Sequence, residues 1–237
     1  MNVWLGARAL MLAVVTAGLF PSVSHAASNL PVIVIQQVDA EDAEVYAMLI
    51  ARNNATIKER LGSDNFYRVY LAMTAGDQTG TVSVVARADS FAAMEKNREA
   101  VFNDLELASR VGQLSAVRTL GAQTSLKALR FGGAHDGAWL YNVWVNVNDE
   151  EGYLAAVDEL RTVLNGLGFR DCHLNVYRAI AGRSDASHLV SINTPSSERL
   201  ALILDAVASD ESVGKWIAAS AKYRTIVLTG TFREITK

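Results

Sequence analysis

Apolar and polar positions follow the same succession twice along this chain. In the first half, alternating or continuous apolar runs predict strands near residues 32–38, 66–74, 81–87 and 117–129. In the second half they predict strands near residues 140–147, 173–180, 189–193 and 224–235. Longer patterns with a helical period cover residues 40–61, 90–114, 149–167 and 196–221. Each half therefore predicts the order strand, helix, strand, strand, helix, strand.

The two halves also share local sequence. The segment Val69–Met73 (VYLAM) returns as Val176–Ile180 (VYRAI). Val38–Asp42 matches Val147–Glu151, and in both an apolar run ends at a helix start with acidic residues in the first turn. A glycine-rich stretch that includes Gly132, Gly133 and Gly137 separates the halves, as expected of a linker. These features predict a duplicated domain, with repeats at residues 27–133 and 134–237.

This element order is the split βαβ plan of ferredoxin-like domains, in which helices cover one face of a four-stranded sheet. The chain resembles the dimeric α+β barrel superfamily, to which the antibiotic-biosynthesis monooxygenases belong. In that superfamily two such sheets pack face to face around a lumen. The resemblance implies an α+β fold with two ferredoxin-like βαββαβ repeats, whose antiparallel sheets form an intramolecular barrel. The chain would then be a pseudo-dimer.

The first 26 residues have the pattern of a secretory signal peptide. Arg8 is their only charged side chain, residues 9–20 are an apolar stretch, and small residues surround a cleavage site at Ala26. The apolar stretch is shorter than the roughly twenty residues that a membrane-spanning helix needs. We therefore expect an exported protein, periplasmic or extracellular, that begins at Ala27 and has no stable membrane insertion after cleavage.

Composition narrows the function classes further. The formal charge is −3, and no basic stripe with interleaved aromatic residues is present, which argues against nucleic acid as a partner. Cys172 is the only cysteine, so no intramolecular disulfide can form. The spacing of histidines and cysteine matches no metal motif. The sequence predicts neither a metal site nor a cofactor.

Strand alternation separates the residues that face the helices from those that face the lumen. The row of Tyr141, Val143, Val145 and Val147 is wholly apolar and belongs under the helices. The mixed rows should then face the opposing sheet. They contain the candidate ligand-binding residues Asn142, Trp144, Asn146, His173, Asn175, Tyr177, Phe66, Arg68 and Tyr70.

Two interpretations of these rows remain open. Aromatic walls with a few hydrogen-bonding groups are typical of a small-molecule site, which favours a small apolar or aromatic ligand. The same side chains could instead fill the sheet interface and satisfy one another. His173 is the best candidate for acid–base chemistry because it shares a row with Asn175 and Tyr177, although a histidine at a strand end can also be only hydrogen-bonded there.

The resemblance adds a second function class, because the superfamily includes cofactor-independent oxygenases, lactone isomerases and haem-degrading enzymes. Asn142 and Trp216 correspond to an Asn and a Trp of the haem-degrading members. No histidine follows Trp216, so the axial ligand of those members is missing. The alternatives to a binding protein are therefore a cofactor-independent monooxygenase or isomerase, or an interaction module without a ligand.

Overall fold

The computed structural model describes residues 30–63, 67–183 and 185–236. The signal-peptide prediction for residues 1–26 and the candidate Phe66 lie outside the described residues. No helix within the described part of the chain has the length and apolarity that crossing a membrane requires.

Each repeat has the predicted element order. The first consists of β1 (Val32–Ala40), α1 (Ala43–Leu61), β2 (Tyr67–Thr74), β3 (Val82–Ala88), α2 (Phe91–Asn103), α3 (Leu105–Leu114) and β4 (Arg118–Arg130). The second consists of β5 (Trp139–Val147), α4 (Glu150–Gly166), β6 (His173–Ala181), β7 (His188–Thr194), α5 (Ser197–Ser209), α6 (Glu211–Ser220) and β8 (Arg224–Glu234).

The second helical stretch of each repeat is two helices, where the sequence pattern predicts one. Asp104 separates α2 from α3, and Asp210 separates α5 from α6; both have an extended backbone. The Asp104 carboxylate accepts hydrogen bonds from the backbone N–H groups of Glu106 and Leu107, and Asp210 does the same for Ser212 and Val213. An aspartate that accepts hydrogen bonds from free N–H groups in this way caps the start of a new helix. The helical period of apolar residues continues across the interruption, and for this reason the sequence pattern predicts one helix.

The eight strands form one closed antiparallel barrel in the order β1-β3-β2-β8-β5-β7-β6-β4. Each repeat contributes a four-stranded sheet, β4-β1-β3-β2 or β6-β7-β5-β8. The two sheets are joined by the pairing of β2 with β8 and of β4 with β6. Only the C-terminal parts of these four strands pair across the joins: Tyr70–Thr74 with Thr231–Glu234, and Ser125–Arg130 with Val176–Ala181.

Both faces of the sheets are buried. On the outer face of the second sheet, Val145 and Val176 pack against Val157 of α4 and Ile203 of α5, and all four are fully buried. On the inner face, residues from both sheets form common clusters, such as Ile33, Leu126, Trp144, Tyr177 and Leu189. The barrel interior is therefore a second apolar core, which the two repeats share.

A substitution at Gly182 would test how closely the β6–β7 hairpin approaches β4. Its φ is 94°, and a Cβ there would lie 1.8 Å from the carbonyl oxygen of Gln123. Gly168 has a φ of 87° but no heavy atom within 4 Å of such a Cβ, so it is the matched control. Gly168→Ala should cost about 1–2 kcal/mol of unfolding free energy for the left-handed backbone alone.

Gly182→Ala should cost about 2 kcal/mol more than the control, because the β6–β7 hairpin must also move away from β4. Urea unfolding of the two variants and the parent protein measures the difference. Equal losses in the two variants would contradict the close approach of the hairpin to β4.

Candidate functional site

The barrel encloses a cavity of about 390 Å³ between the two sheets. Its volume lies within the range of small-molecule sites in proteins. Of the residues that strand alternation assigned to the lumen, the structure places six in the cavity wall: Asn142, Trp144, Asn175, Tyr177, Arg68 and Tyr70. Both sheets contribute to this set, so the cavity depends on both repeats.

Asn142 lies in the middle of β5 and presents an unsatisfied polar atom. Its Oδ1 is buried and has no hydrogen-bond partner among the residues that the structure describes. Its neighbours in the same inward-facing row are Leu140 and Trp144, which are 8% and 7% exposed. A buried acceptor without a partner costs about 1–3 kcal/mol, which a ligand donor could recover.

Trp144 carries a stacked guanidinium on its ring. The guanidinium carbon of Arg183 lies 4.3 Å from the ring centroid, and Arg183 Nε is 2.6 Å from Asp185 Oδ1. Both charged residues belong to the β6–β7 hairpin, and both line the cavity. The hairpin thus supplies a polar edge to an aromatic wall.

Asn146 is not part of the cavity wall, although it follows Asn142 and Trp144 in the same row. It is exposed at the end of β5, where its Nδ2 donates to the carbonyl oxygen of Asp185 (2.9 Å) and its Oδ1 accepts from the Ser187 N–H (3.1 Å). The row extends beyond the barrel interior at this point. Asn146 therefore holds the hairpin that carries Arg183.

Two of the predicted wall residues hold the linker, residues 131–138, across the other end of the barrel. Asn175 Oδ1 accepts from the Gly132 N–H (2.7 Å), and its Nδ2 donates to the Gly133 carbonyl (2.9 Å). Arg68 donates to the carbonyl oxygen of His135 (2.7 Å) and pairs with Glu234 (2.9 Å). Their polar groups are therefore already engaged by protein atoms.

His173 also lies at the linker and is not part of the described cavity wall. It is the first residue of β6, and its ring stacks on that of His135 with centroids 4.4 Å apart. Burial, with a smaller effect from His135, lowers the pKa of His173. Its proposed role in acid–base chemistry within the lumen does not fit this position.

Tyr70 and Tyr177, which are equivalent in the repeat, both line the cavity, one from each sheet. Each side chain is 6% exposed. Burial raises the pKa of both phenols above the ordinary value. At Tyr70 the nearby Glu234 carboxylate raises the pKa further and Arg68 lowers it, but burial has the largest effect. Both groups are therefore neutral hydrogen-bond donors at physiological pH.

Several wall residues were not among the sequence candidates. Ser83 and Arg87 of β3 and Ser191 and Asn193 of β7 line the cavity. Alternation applied to these third strands would have identified them, because each set occupies every second position. Arg183 lies in a turn, and no periodic pattern indicates that it folds back over Trp144.

Asn142 and Trp216, which correspond to residues of the haem-degrading members, lie on opposite faces of the second sheet. Asn142 faces the lumen, whereas Trp216 packs on the outer core of the second sheet and donates from Nε1 to the Ala156 carbonyl (2.5 Å). The sheet separates the two residues. No histidine lines the cavity among residues 30–63, 67–183 and 185–236, and the same residues contain no cluster of metal-ligating side chains.

Solved structures with the same architecture are similar over most of their length. A candidate monooxygenase from Lactobacillus acidophilus NCFM is 12% identical, with a TM-score of 0.58 over 87% of this chain and 95% of that one. The chain has the dimeric α+β barrel fold. A candidate monooxygenase from Fusobacterium nucleatum has a TM-score of 0.54 at 8% identity, over 86% of this chain and 91% of that one.

An anthrone oxidase-like protein has a TM-score of 0.52 at 12% identity, over 88% of this chain and 92% of that one. No protein-family model matches the sequence, and comparison with curated proteins gives no match. At these identities the likeness concerns the fold alone.

The surroundings of His188, the other histidine on a strand, predict that the stability of the fold depends on pH. Its Nε2 lies 3.0 Å from Glu150 Oε2 and its Nδ1 lies 2.8 Å from Ser187 Oγ. Burial lowers the pKa of His188 in spite of the Glu150 carboxylate. Since the folded pKa is below the unfolded value, this stability contribution is present above the unfolded pKa and is lost as the pH falls through the folded pKa.

Urea unfolding should therefore give a falling free energy of unfolding between about pH 7 and pH 5.5. His173 contributes in the same direction, because its pKa is lowered too. The double variant His173→Gln/His188→Gln should flatten the profile over this range, and each single variant should flatten it in part. An unchanged slope in the double variant would show that other groups cause it.

Proposed function

We propose that this chain is an exported protein that binds a small apolar or aromatic molecule in the barrel lumen. The observation that carries the proposal is the buried Asn142 Oδ1, which has no partner among the described residues and adjoins Trp144 in a cavity of about 390 Å³. A side chain that only packed the sheet interface would be expected to satisfy this atom within the protein.

The remaining wall supports the same function. Trp144, Tyr70 and Tyr177 supply aromatic surface from both sheets, and Phe232 of β8 adds a further aromatic side chain to the wall. Such walls bury a flat apolar ligand, while a few polar groups orient it. Export rests on the signal-peptide pattern of residues 1–26.

Neutral 2-naphthol is a suitable probe, because it has an aromatic body and a hydroxyl donor for Asn142. Calorimetric titration of the mature protein should give binding at about one molecule per chain. Trp144→Leu should weaken this binding roughly tenfold by removing aromatic contact and buried area.

Trp139→Leu is the matched control, because Trp139 lies on the same strand outside the described wall and should leave the affinity unchanged. Melting temperatures of both variants separate loss of binding from loss of folding. Failure of 2-naphthol and a panel of neutral aromatic compounds to bind would favour an interaction module without a ligand.

A second candidate function is cofactor-independent oxygenation of a bound aromatic compound. The fold of the similar structures and their names support it, since one is anthrone oxidase-like and two are candidate monooxygenases. Asn142 and the two neutral tyrosines are the lumen groups that could orient such a substrate. No role for His173 is part of this candidate.

Anthrone tests the oxygenase function directly, because its conversion to anthraquinone consumes dioxygen and releases water. The enzyme function predicts dioxygen uptake in the presence of the protein that Asn142→Leu abolishes and Trp139→Leu retains. Dioxygen uptake no faster than in buffer alone would show that the protein lacks this oxygenase activity, and the binding function would remain.

A further inference from the structure

We propose that the first repeat holds a second binding site, beneath α2, for a small neutral apolar molecule of about the size of toluene. The site is a cavity of about 210 Å³ on the outer face of the first sheet, between the sheet and its helices. Residues of α1, β2, β3 and α2 form its wall. The apolar part of this wall consists of Ile57, Leu61, Tyr67, Ala86, Met94 and Val101.

This outer cavity is separate from the lumen of the proposed function. Along β3, Ser83 and Val85 line the lumen, whereas Ala86 and Ala88 line the outer cavity. Because alternate side chains of a strand point to opposite faces, the sheet itself lies between the two cavities. Binding in one of them therefore does not require binding in the other.

The second repeat shows which side chains the first repeat lacks at this place. Helices α2 and α5 both have thirteen residues and both begin after a capping serine, so their positions correspond one to one. Asn97 of α2 thus corresponds to Ile203 of α5. Ile203 is fully buried in the outer core of the second sheet, whereas Asn97 is half-buried in the cavity wall.

The strand beneath α2 differs from its counterpart in the same way. Strands β3 and β7 both have seven residues, and Ala86 corresponds to Ile192, which is 4% exposed in the outer core of the second sheet. Tyr67 is larger than Leu174, the residue at its position in the second repeat, and restores part of the lost volume. Two isoleucines are nevertheless replaced by smaller or polar residues on facing elements, which leaves the space between them open.

The outer core of the first repeat is divided beside this cavity. Among the described residues it consists of two clusters, one that includes Tyr46 and Val69 and one of Ile57, Val101 and Leu107. The outer core of the second repeat is a single cluster. Of the thirteen residues of α2, all of which the structure describes, Val101 alone is buried. An apolar molecule in the cavity would bury the inner surface that α2 leaves without a partner.

The volume and the lining of the cavity determine the class of ligand. An apolar protein cavity of about 150 Å³ is large enough to bind benzene, and the outer cavity is somewhat larger. Arg87 and Lys96 also belong to the wall, but both are exposed, so water hydrates their charges. A charged ligand would lose hydration against the apolar part of the wall, which favours a neutral molecule with one ring.

Methyl NMR tests the site, with toluene as the probe and the mature protein labelled with ¹³C at its methionine methyl groups. Met94 lies in the cavity wall, whereas Met48 and Met73 are exposed on α1 and β2, outside the described wall, and serve as internal controls. The Met94 methyl signal should shift saturably as toluene is added, because an aromatic ring changes the magnetic field at nearby nuclei. The signals of Met48 and Met73 should stay in place.

Two variants fill the cavity with the side chains of the second repeat. Asn97→Ile and Ala86→Ile should each remove the Met94 response to toluene, and neither should lower the melting temperature, since apolar contacts replace an empty space. Asn103→Ile is the matched control. It places the same side chain at an exposed position of α2 outside the described wall, and it should retain the Met94 response.

A saturable Met94 response in the parent protein and in Asn103→Ile, lost in both filled variants, would support the site. No saturable response in the parent protein up to the aqueous solubility of toluene, or a response that persists in both filled variants, would overturn it. Trp144→Leu should leave the Met94 response unchanged. Because calorimetry with 2-naphthol reports on the lumen, failure of the outer cavity and failure of the proposed function can be told apart.

Discussion

The pairing of β2 with β8 and of β4 with β6 joins two four-stranded sheets into one closed barrel, and every other feature depends on it. Each sheet carries helices on one face only, so the other face needs a partner. Closure places the bare faces opposite each other and removes free edges along the paired parts of four strands. It also creates the lumen, which neither repeat could enclose by itself.

Closure also determines what the polar residues of the inner faces do. At the linker, Asn175 and Arg68 are satisfied by backbone groups of residues 132–135. At the β6–β7 hairpin, Asn146 is satisfied in the same manner by Asp185 and Ser187. Polar groups near the ends of the barrel thus fix loops. Those in the middle, above all Asn142, are left facing the cavity.

The duplication gives the cavity two related but unequal walls. Tyr70 and Tyr177 keep the same residue type and line the lumen from the two sheets, whereas Ile33 and Ile35 of β1 occupy the positions at which β5 has Asn142 and Trp144. A pseudo-symmetric fold therefore contains a cavity whose two walls differ.

The sequence by itself determined the strands, their order and the lumen-facing rows of β2, β5 and β6, because a period of two and a duplicated pattern depend only on local geometry. It also identified Asn142, Trp144, Tyr70 and Tyr177 as inward-facing. Only the tertiary structure decided which inward positions reach the cavity: Asn146 and His173 lie at strand ends where loops engage them, and Arg183 comes from a turn. Contacts between residues distant in sequence produce no periodic pattern in the sequence. The helices are interrupted at Asp104 and Asp210, but the helical period of apolar residues is not.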